Sequence, residues 1–161
     1  MASVIQDNAQ NPRVACVSSS KVPPCATFIP LNFKFKGYIS TFATAGEAIP
    51  TGAVLRPSTT VDKQVVQTIV VNDRAVVGVA AKSATSGESV CMAIGGEFQV
   101  LVNGAVTRGD LLASSAVVGE AVSVGVIPAS NFGVFAVATN SNANTAVKLV
   151  CARFTKAEVG D

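Results

Sequence analysis

The chain has 161 residues, with 12 basic and 10 acidic side chains and no histidine. The missing imidazole excludes Ser-His-Asp and Cys-His nucleophilic sites, and because the acidic residues are isolated in turn-like sequence we expect no enzymatic activity. Charged residues are 14% of the chain, against about 25% in an average globular domain. We therefore expect other protein to cover much of the surface, as in a homo-oligomer or a larger assembly; the alternative is an unusually neutral surface rich in Ser, Thr and Asn.

Residues 1–36 differ from the rest of the chain and are predicted to form an extended arm. Prolines at positions 12, 23, 24 and 30 disfavour a helix, and the segment carries a charge of +3 whereas the remainder sums to −1. It also carries apolar side chains that a disordered tail would not need. The alternative is a flexible terminus followed by the first strand of the domain. The predicted contact residues of the arm are Arg13, Lys21, Phe28, Ile29, Leu31, Phe33 and Lys34.

Sequence signals for nucleic-acid or membrane binding are weak. The basic residues of the arm are dispersed, and Tyr38 is the only tyrosine in a chain without tryptophan, so we expect no nucleic-acid partner. No apolar run approaches the ~18 residues of a membrane span. The first residues do not combine a basic segment with an apolar one, as a secretory signal does. We therefore expect no membrane contact and synthesis in the cytoplasm.

From residue 37 to residue 161 the periodicity is that of short strands bounded by turns. Turns are predicted at Asn72-Asp73, Gly95-Gly96 and Asn103-Gly104, of which the last is the strongest tight-turn dipeptide. A polar, exposed loop is predicted at residues 140–145. The predicted strands cover residues 65–71, 75–80, 90–94, 98–102, 117–126, 132–138 and 146–154.

One turn sequence occurs twice, which indicates an internal duplication. Residues 49–55 (IPTGAVL) resemble residues 106–112 (VTRGDLL), and a second glycine follows each copy in a Val-Gly-Val or Phe-Gly-Val sequence. Each copy is too short to bury its own apolar face, so the two must pack together. We predict an all-β domain over residues 37–161, a small β-barrel or sandwich, with repeat units at about 46–94 and 103–150. The predicted turn glycines are Gly52, Gly78, Gly109 and Gly133.

The tripeptide Arg108-Gly109-Asp110 falls inside the second copy of the repeated turn. The first copy has Thr51-Gly52-Ala53 at the same place, so only the glycine belongs to the repeat. We therefore interpret the tripeptide as a turn in which the glycine takes a positive φ and Asp110 accepts a backbone hydrogen bond, rather than as an adhesion motif.

Cysteine occurs at four scattered positions, namely Cys16, Cys25, Cys91 and Cys151. We interpret these cysteines as reduced thiols that act as small hydrophobes. A bridge between Cys16 and Cys25 is the alternative, because an even number of cysteines permits pairing. Their spacing, together with the missing histidine, leads us to expect no metal site and no cofactor.

Short motifs across about residues 45–154 follow one another in a recognisable order: VGVA at 77–80, SGESV at 86–90, residues 96–102, AVTRGDLL at 105–112 and FGV at 132–134. This order resembles the capsid decoration, or cement, proteins of tailed bacteriophages, and related modules occur in head-fibre proteins. The resemblance implies a small β-barrel-like protein that binds the outside of the head and stabilises it by bridging major capsid subunits. It also implies a homo-oligomer, with a trimer favoured over a dimer.

The resemblance makes the major capsid protein the expected partner and the outer capsid surface of the virion the expected location, after synthesis in the host cytoplasm. The apolar residues of the arm would lie against capsid or a neighbouring subunit, and its basic residues would pair with acidic capsid groups. The alternative role is a head-fibre base or a receptor-binding module, which would use exposed loops such as residues 140–145. No catalytic or ligand-binding residue is implied by the resemblance.

Overall fold

The computed structural model describes residues 38–126 and 133–155. These ranges contain most of the domain predicted from residue 37 onward. The arm predicted over residues 1–36 lies outside them. The same holds for every predicted contact residue of the arm: Arg13, Lys21, Phe28, Ile29, Leu31, Phe33 and Lys34.

All regular elements in the described ranges are β-strands, which confirms the predicted all-β class. Valine recurs in most of them, as expected of a β-branched residue that packs well on a pleated surface. The strands are β1 (Tyr38–Ala45), β2 (Val54–Pro57), β3 (Gln64–Gln67), β4 (Gly78–Ala80), β5 (Ser89–Asn103), β6 (Leu111–Ser114), β7 (Ala121–Ser123), β8 (Val134–Ala138) and β9 (Lys148–Phe154).

Hydrogen bonds join the strands into a sheet that closes on itself twice. The first ring has the order β1-β3-β2-β4-β5 and closes because β1 also pairs with the N-terminal half of β5. The second ring has the order β5-β7-β6-β8-β9 and closes because β9 pairs with the C-terminal half of β5. The 15-residue strand β5 therefore belongs to both rings. Closure pairs the edge strands within each ring, which protects them from pairing with other chains.

The two rings repeat one connectivity, which is the internal duplication predicted from the sequence. Each ring contains one parallel pair, β1 with β3 and β5 with β7, among antiparallel pairs. The repeated turns make the same backbone hydrogen bonds: Gly52 N–H donates to Ala80 O at 2.7 Å, and Gly109 N–H donates to Ala138 O at 2.9 Å. The duplication therefore extends from the turn sequence to the hydrogen-bond ladder.

Two hydrophobic clusters form the core. The cluster of the first ring includes Ile49, Leu55 and Met92. The cluster of the second ring is built around Phe98 and Phe154, whose rings stack with centroids 4.2 Å apart. This second cluster also takes in Val54, Val79 and Ala93 from the first ring. Side chains of the first ring thus pack against the second, so the two rings share buried surface.

The structure differs from the sequence prediction at Gly95 and Gly96. The predicted turn there is wrong, because β5 runs through both glycines as one strand. The ladder between β1 and β5 instead contains a register shift between Ile39 and Ser40, opposite these glycines, and Gly96 has a φ of 79°. A bulge with a glycine in the left-handed region bends a strand without ending it. The bend lies where β5 passes from one ring into the other.

Other predicted elements also have different bounds or positions in the structure. The strand predicted over residues 65–71 ends at Gln67, and the one predicted over residues 117–126 is reduced to β7. Gly78 is the first residue of β4 rather than part of a turn, and its φ is not positive, unlike that of Gly133. By register, Leu55 pairs with Gly78 and Leu112 with Ala136, so Ala136 and not Gly133 corresponds to Gly78.

Cys91 and Cys151 also occupy corresponding positions of the duplication. Cys91 O accepts a hydrogen bond from Ala81 N–H, and Cys151 O accepts one from Thr139 N–H, each at 2.8 Å. Both cysteines are disulfide-bonded. The interpretation of these two residues as reduced thiols is therefore wrong. Cys16 and Cys25 lie outside the described residues.

Candidate interaction surface

Two loops from different halves of the duplication lie side by side. Residues 68–73 are the first part of the connection from β3 to β4 in the first ring, and residues 115–120 connect β6 to β7 in the second. Gly119 N–H donates to Thr68 O at 2.8 Å, and Asn72 N–H donates to Ser114 O at 3.0 Å. The loops are thus joined by backbone hydrogen bonds at both ends of their contact.

These loops expose five large apolar side chains, here called the apolar patch. None of the five belongs to either core cluster. Monomeric proteins rarely expose contiguous apolar surface of more than a few hundred Å², and where they do it usually marks a binding surface. The members and their exposed fractions are Ile69 58%, Val70 43%, Val71 55%, Val117 47% and Val118 50%.

A buried polar network beneath the patch keeps its backbone in place. Thr68 Oγ1 donates to Asp73 Oδ2 at 2.7 Å, and both residues are buried. Ser114 Oγ accepts from Asp73 N–H and donates to Val70 O, both at 2.7 Å. Since buried polar groups are costly unless paired, these bonds favour one conformation of the loop. The loop therefore turns its apolar side chains outward rather than collapsing onto the core.

Two charged side chains near the patch, those of Arg56 and Glu120, bond within the chain. Arg56 Nη1 lies 3.4 Å from Asp73 Oδ2 in an ion pair whose two side chains are 25% and 6% exposed. The Arg56 Nε atom is buried without a hydrogen-bond partner. Glu120 Oε1 accepts a hydrogen bond from Asn103 Nδ2 at 3.0 Å. The patch thus presents apolar surface, while these neighbouring charged groups bond within the chain.

Gly133 borders the same loop. It has a φ of 78°, and a Cβ at this position would come within 2.3 Å of the carbonyl carbon of Asn72. The close approach of the two backbones requires a glycine. Asn72 itself has a positive φ of 54°, a conformation that asparagine tolerates better than most residues.

Two of the other predicted turn glycines occupy the two copies of the repeated turn. Gly52 and Gly109 have φ values of 88° and 94° in the two copies of the turn. Asp110 Oδ2 accepts a hydrogen bond from Thr107 N–H at 2.9 Å, so the acidic residue of the Arg-Gly-Asp tripeptide closes its own turn. The tripeptide is therefore part of the repeated backbone structure.

Titratable groups with shifted pKa values do not converge on one site. Hydrogen bonds from Thr85 lower the pKa of the fully exposed Glu88. Burial lowers the pKa of Lys148, whose Nζ donates to Gly104 O and Asn144 O, and burial raises the pKa of Tyr38. Glu88 lies beside a shallow depression near Ile49 and Ala84, where its carboxylate is held by Thr85 N–H at 2.9 Å.

Within the two described ranges, no three Cys, Asp or Glu residues lie close enough together to hold a metal ion. The same part of the chain has no helix long and apolar enough to cross a membrane.

Sequence reasoning missed the apolar patch. Residues 65–71 read as one β-branched strand, and residues 117–118 as the start of another. The available signal was Thr68 followed five residues later by Asp73, a polar pair able to close a loop by a side-chain hydrogen bond. The sequence does not reveal that Ser114 would complete this network from the other half of the chain.

No protein family and no curated protein matches the sequence. Among solved structures, the chain is similar to the head fiber gp8.5 N base in bacteriophage phi29, at 20% sequence identity and a TM-score of 0.56. The similarity covers 73% of this chain and 93% of that chain. Nearly the whole of the solved chain thus shares the fold described above.

Proposed function

We propose that this protein is a structural component of a bacteriophage head that binds the outer surface of the shell and stabilises it by bridging major capsid subunits. It acts through its surfaces and not as an enzyme. The observation that carries this proposal is the fold, which is similar to the phi29 head fiber base over 93% of that chain. The short sequence motifs that resemble cement proteins support the same class.

In this proposal the apolar patch joins copies of the chain into a homo-oligomer, with a trimer favoured. Permanent homo-oligomer contacts are more apolar than transient ones and have few charges at their centre. The patch fits this description because its five members are Ile or Val and the neighbouring Arg56 and Glu120 bond within the chain. A stable interface needs roughly 800 Å² per partner, so the patch would form its apolar centre, surrounded by polar residues.

The arm is the proposed contact with the head. Its charge of +3 suits acidic capsid groups, and its apolar residues suit a groove between subunits. A cement acts by adding many copies of a modest contact across seams that would otherwise separate. Because each copy binds only the assembled shell, binding shifts the equilibrium toward the intact head.

The test is co-sedimentation of the purified protein with expanded heads of its source phage that lack it. We expect binding to saturate at a fixed number of copies per major capsid subunit, and the loaded heads to survive a higher temperature than bare heads. The protein lacking residues 1–30 serves as the matched comparison and should bind heads poorly. Binding that fails to saturate, or no binding, would contradict the proposal.

The base of a head fibre is the second candidate, and the similarity of the fold to the phi29 head fiber base favours it. A fibre base anchors another structure to the head and need not strengthen the shell. The same experiment separates the two roles through the melting temperature of the heads. Saturable binding with unchanged head stability would favour the fibre base over the cement.

A further inference from the structure

Asn103-Gly104 is the only place in the chain where a glycine follows an asparagine. Asparagine is one of the thermolabile residues of proteins, because its side-chain amide can be lost as ammonia. The attacking group is the backbone nitrogen of the next residue, and a glycine there has no side chain to hinder the approach. Asn103 is the last residue of β5, so this reactive dipeptide lies at the end of the strand that both rings share.

The side-chain amide of Asn103 is held from the side of β7. Its Nδ2 donates to Glu120 Oε1 at 3.0 Å, in a partly buried position just before β7 begins. A carboxylate only accepts hydrogen bonds, so the amide NH2 group must face Glu120. Attack by the Gly104 nitrogen forms a five-membered ring, for which an extended strand residue must rotate about its backbone and side-chain bonds. Such a rotation would break the bond to Glu120.

The backbone of Gly104 is held from the side of β9. Its N–H donates to Thr145 O at 3.2 Å, in the loop that leads to β9, and its carbonyl oxygen accepts a hydrogen bond from Lys148 Nζ. The nitrogen must lose its proton before it can attack. A proton that is bonded to a carbonyl oxygen is shielded from the solvent base that would remove it. These bonds therefore restrain the attacking group as well.

We propose that Asn103 is a latent modification site, which remains an amide while the second ring is closed and is deamidated when the ring opens at this corner. Glu120 precedes β7 and Thr145 precedes β9, and β7 and β9 are the two neighbours of β5 in this ring. Separation of β5 from both neighbours releases the amide and the backbone nitrogen together. The inference does not depend on the proposed function, because it concerns a reaction of one chain with water.

The reaction needs only water as a co-reactant. The Gly104 nitrogen gives up its proton to a solvent base and forms a bond to the side-chain carbonyl carbon of Asn103. The bond from that carbon to Nδ2 breaks, and the departing nitrogen takes up a proton and leaves as ammonia. Water then opens the resulting cyclic imide at either carbonyl, which gives aspartate or isoaspartate. In total, one amide and one water become one carboxylic acid and one ammonia, without oxidation or reduction.

The product would hinder closure of the second ring. A carboxylate at position 103 cannot donate a hydrogen bond to Glu120 Oε1, and it places a second negative charge beside the first. Like charges in direct contact repel each other, and the repulsion is stronger at a partly buried site than in water. A transient opening of the ring would thus be converted into a lasting weakness of the pairing between β5 and β7.

Peptide mapping of the full chain measures the reaction. Trypsin places Asn103 in the peptide of residues 83–108, which contains no other asparagine, and deamidation raises the mass of this peptide. Folded protein and protein unfolded in guanidinium chloride are incubated at the same mildly alkaline pH and sampled over time. We expect the folded protein to react at least about tenfold more slowly, since its protecting hydrogen bonds must first break. Equal rates in the two states would overturn the proposal.

Variants of Glu120 test the protecting bond, with Glu97→Ala as the matched control. Glu120→Ala removes the acceptor and should speed the reaction of the folded protein at least about fivefold. Glu120→Gln retains an oxygen that accepts from Nδ2, so its rate should stay close to that of the unmodified sequence. Glu97→Ala removes a carboxylate that accepts from Thr139 Oγ1 elsewhere in the same ring, and it should not change the rate. If Glu120→Ala reacts no faster than Glu97→Ala, Glu120 does not protect Asn103 and the proposal is wrong.

The Asn103→Asp variant tests the consequence without requiring the reaction. Its melting temperature should fall by about 2–6 °C, because one hydrogen bond is lost and two carboxylates face each other. The double variant Asn103→Asp/Glu120→Gln restores the bond in the opposite direction, since the new amide donates to the new carboxylate. It should regain most of the lost stability. An Asn103→Asp variant as stable as the unmodified protein, or a double variant no more stable than the single one, would show that deamidation does not hinder closure.

Discussion

Ser114 connects the two halves of the duplication through a single hydroxyl group. Its Oγ accepts a hydrogen bond from Asp73 N–H and donates one to Val70 O, and the side chain is fully buried. A second hydroxyl, that of Thr68, bonds the Asp73 carboxylate from within the loop itself. Networks of this kind are stable only when every member is paired, because each unpaired buried group carries a desolvation cost.

Replacement of Ser114 by alanine should lower the free energy of unfolding by about 1–3 kcal/mol, because Asp73 N–H and Val70 O would lose their partner. Urea denaturation monitored by far-UV circular dichroism measures the change. Ser89→Ala is the control, since Ser89 is exposed at the start of β5 and should change stability by no more than ~0.5 kcal/mol. Equal effects of the two variants would mean that the network contributes little.

The repeated turns at Gly52 and Gly109 have nearly the same backbone conformation in different surroundings. Both glycines have a φ near 90°, at 88° and 94°. A Cβ on Gly52 would lie 2.5 Å from Leu149 Cδ2 and 3.1 Å from the Leu101 backbone nitrogen, whereas a Cβ on Gly109 would have nothing within 4 Å. A comparison of the two glycines therefore distinguishes the cost of backbone strain from the cost of steric overlap with neighbouring atoms.

We expect Gly109→Ala to destabilise the protein by about 1–2 kcal/mol, the strain of a left-handed alanine. Gly52→Ala should cost about 1–3 kcal/mol more, because Leu149 must also move away from the new methyl group. Thermal or urea unfolding of both variants measures the difference. If Gly109→Ala proves as damaging as Gly52→Ala, steric overlap with Leu149 adds nothing to the cost of backbone strain.

Strand content and duplication could be predicted from this sequence because both depend on local signals. Alternating apolar residues and the Gly52 and Gly109 turns are visible without knowledge of the fold. The correspondence of Gly78 with Gly133 was wrong because equivalent positions are set by hydrogen-bond register. Leu55 pairs with Gly78 and the equivalent Leu112 pairs with Ala136, three residues after Gly133, so Ala136 corresponds to Gly78.

The apolar patch could not be predicted because it depends on contacts between distant parts of the chain. Residues 65–71 have the composition of a strand, and local propensity favours continuing it beyond Gln67. The structure ends β3 there because Thr68 bonds Asp73, and Ser114, 41 residues from Asp73, fixes the loop. Tertiary hydrogen bonds thus override the local preference.

The described part of the molecule combines two closed rings of strands with a surface that carries the apolar patch. Closure of both rings leaves few strand edges for association in the described part of the chain, so side-chain surfaces must mediate contacts between copies. Charged residues make up only 14% of the sequence, which limits the repulsion between copies. These features therefore favour an oligomer in which copies of the chain contact each other through the apolar patch.

The duplication provides a matched pair of positions with which to test whether copies of the chain associate through the apolar patch. Val118 belongs to the patch, on the loop between β6 and β7, and Val61 lies on the corresponding loop between β2 and β3. Each valine is 50% exposed. A new charge at either position should have a similar small effect on the folded monomer, because both side chains already contact water.

We expect Val118→Asp to weaken self-association at least about tenfold, because the charge would be buried at the centre of the interface. Val61→Asp should leave association unchanged. Sedimentation equilibrium over a range of concentrations measures both, with unfolding curves as a check that the monomers remain folded. If neither variant alters the mass of the oligomer, copies of the chain meet through another surface. A loss of association in both variants would indicate a general effect of added charge, since only one of the two valines lies in the patch.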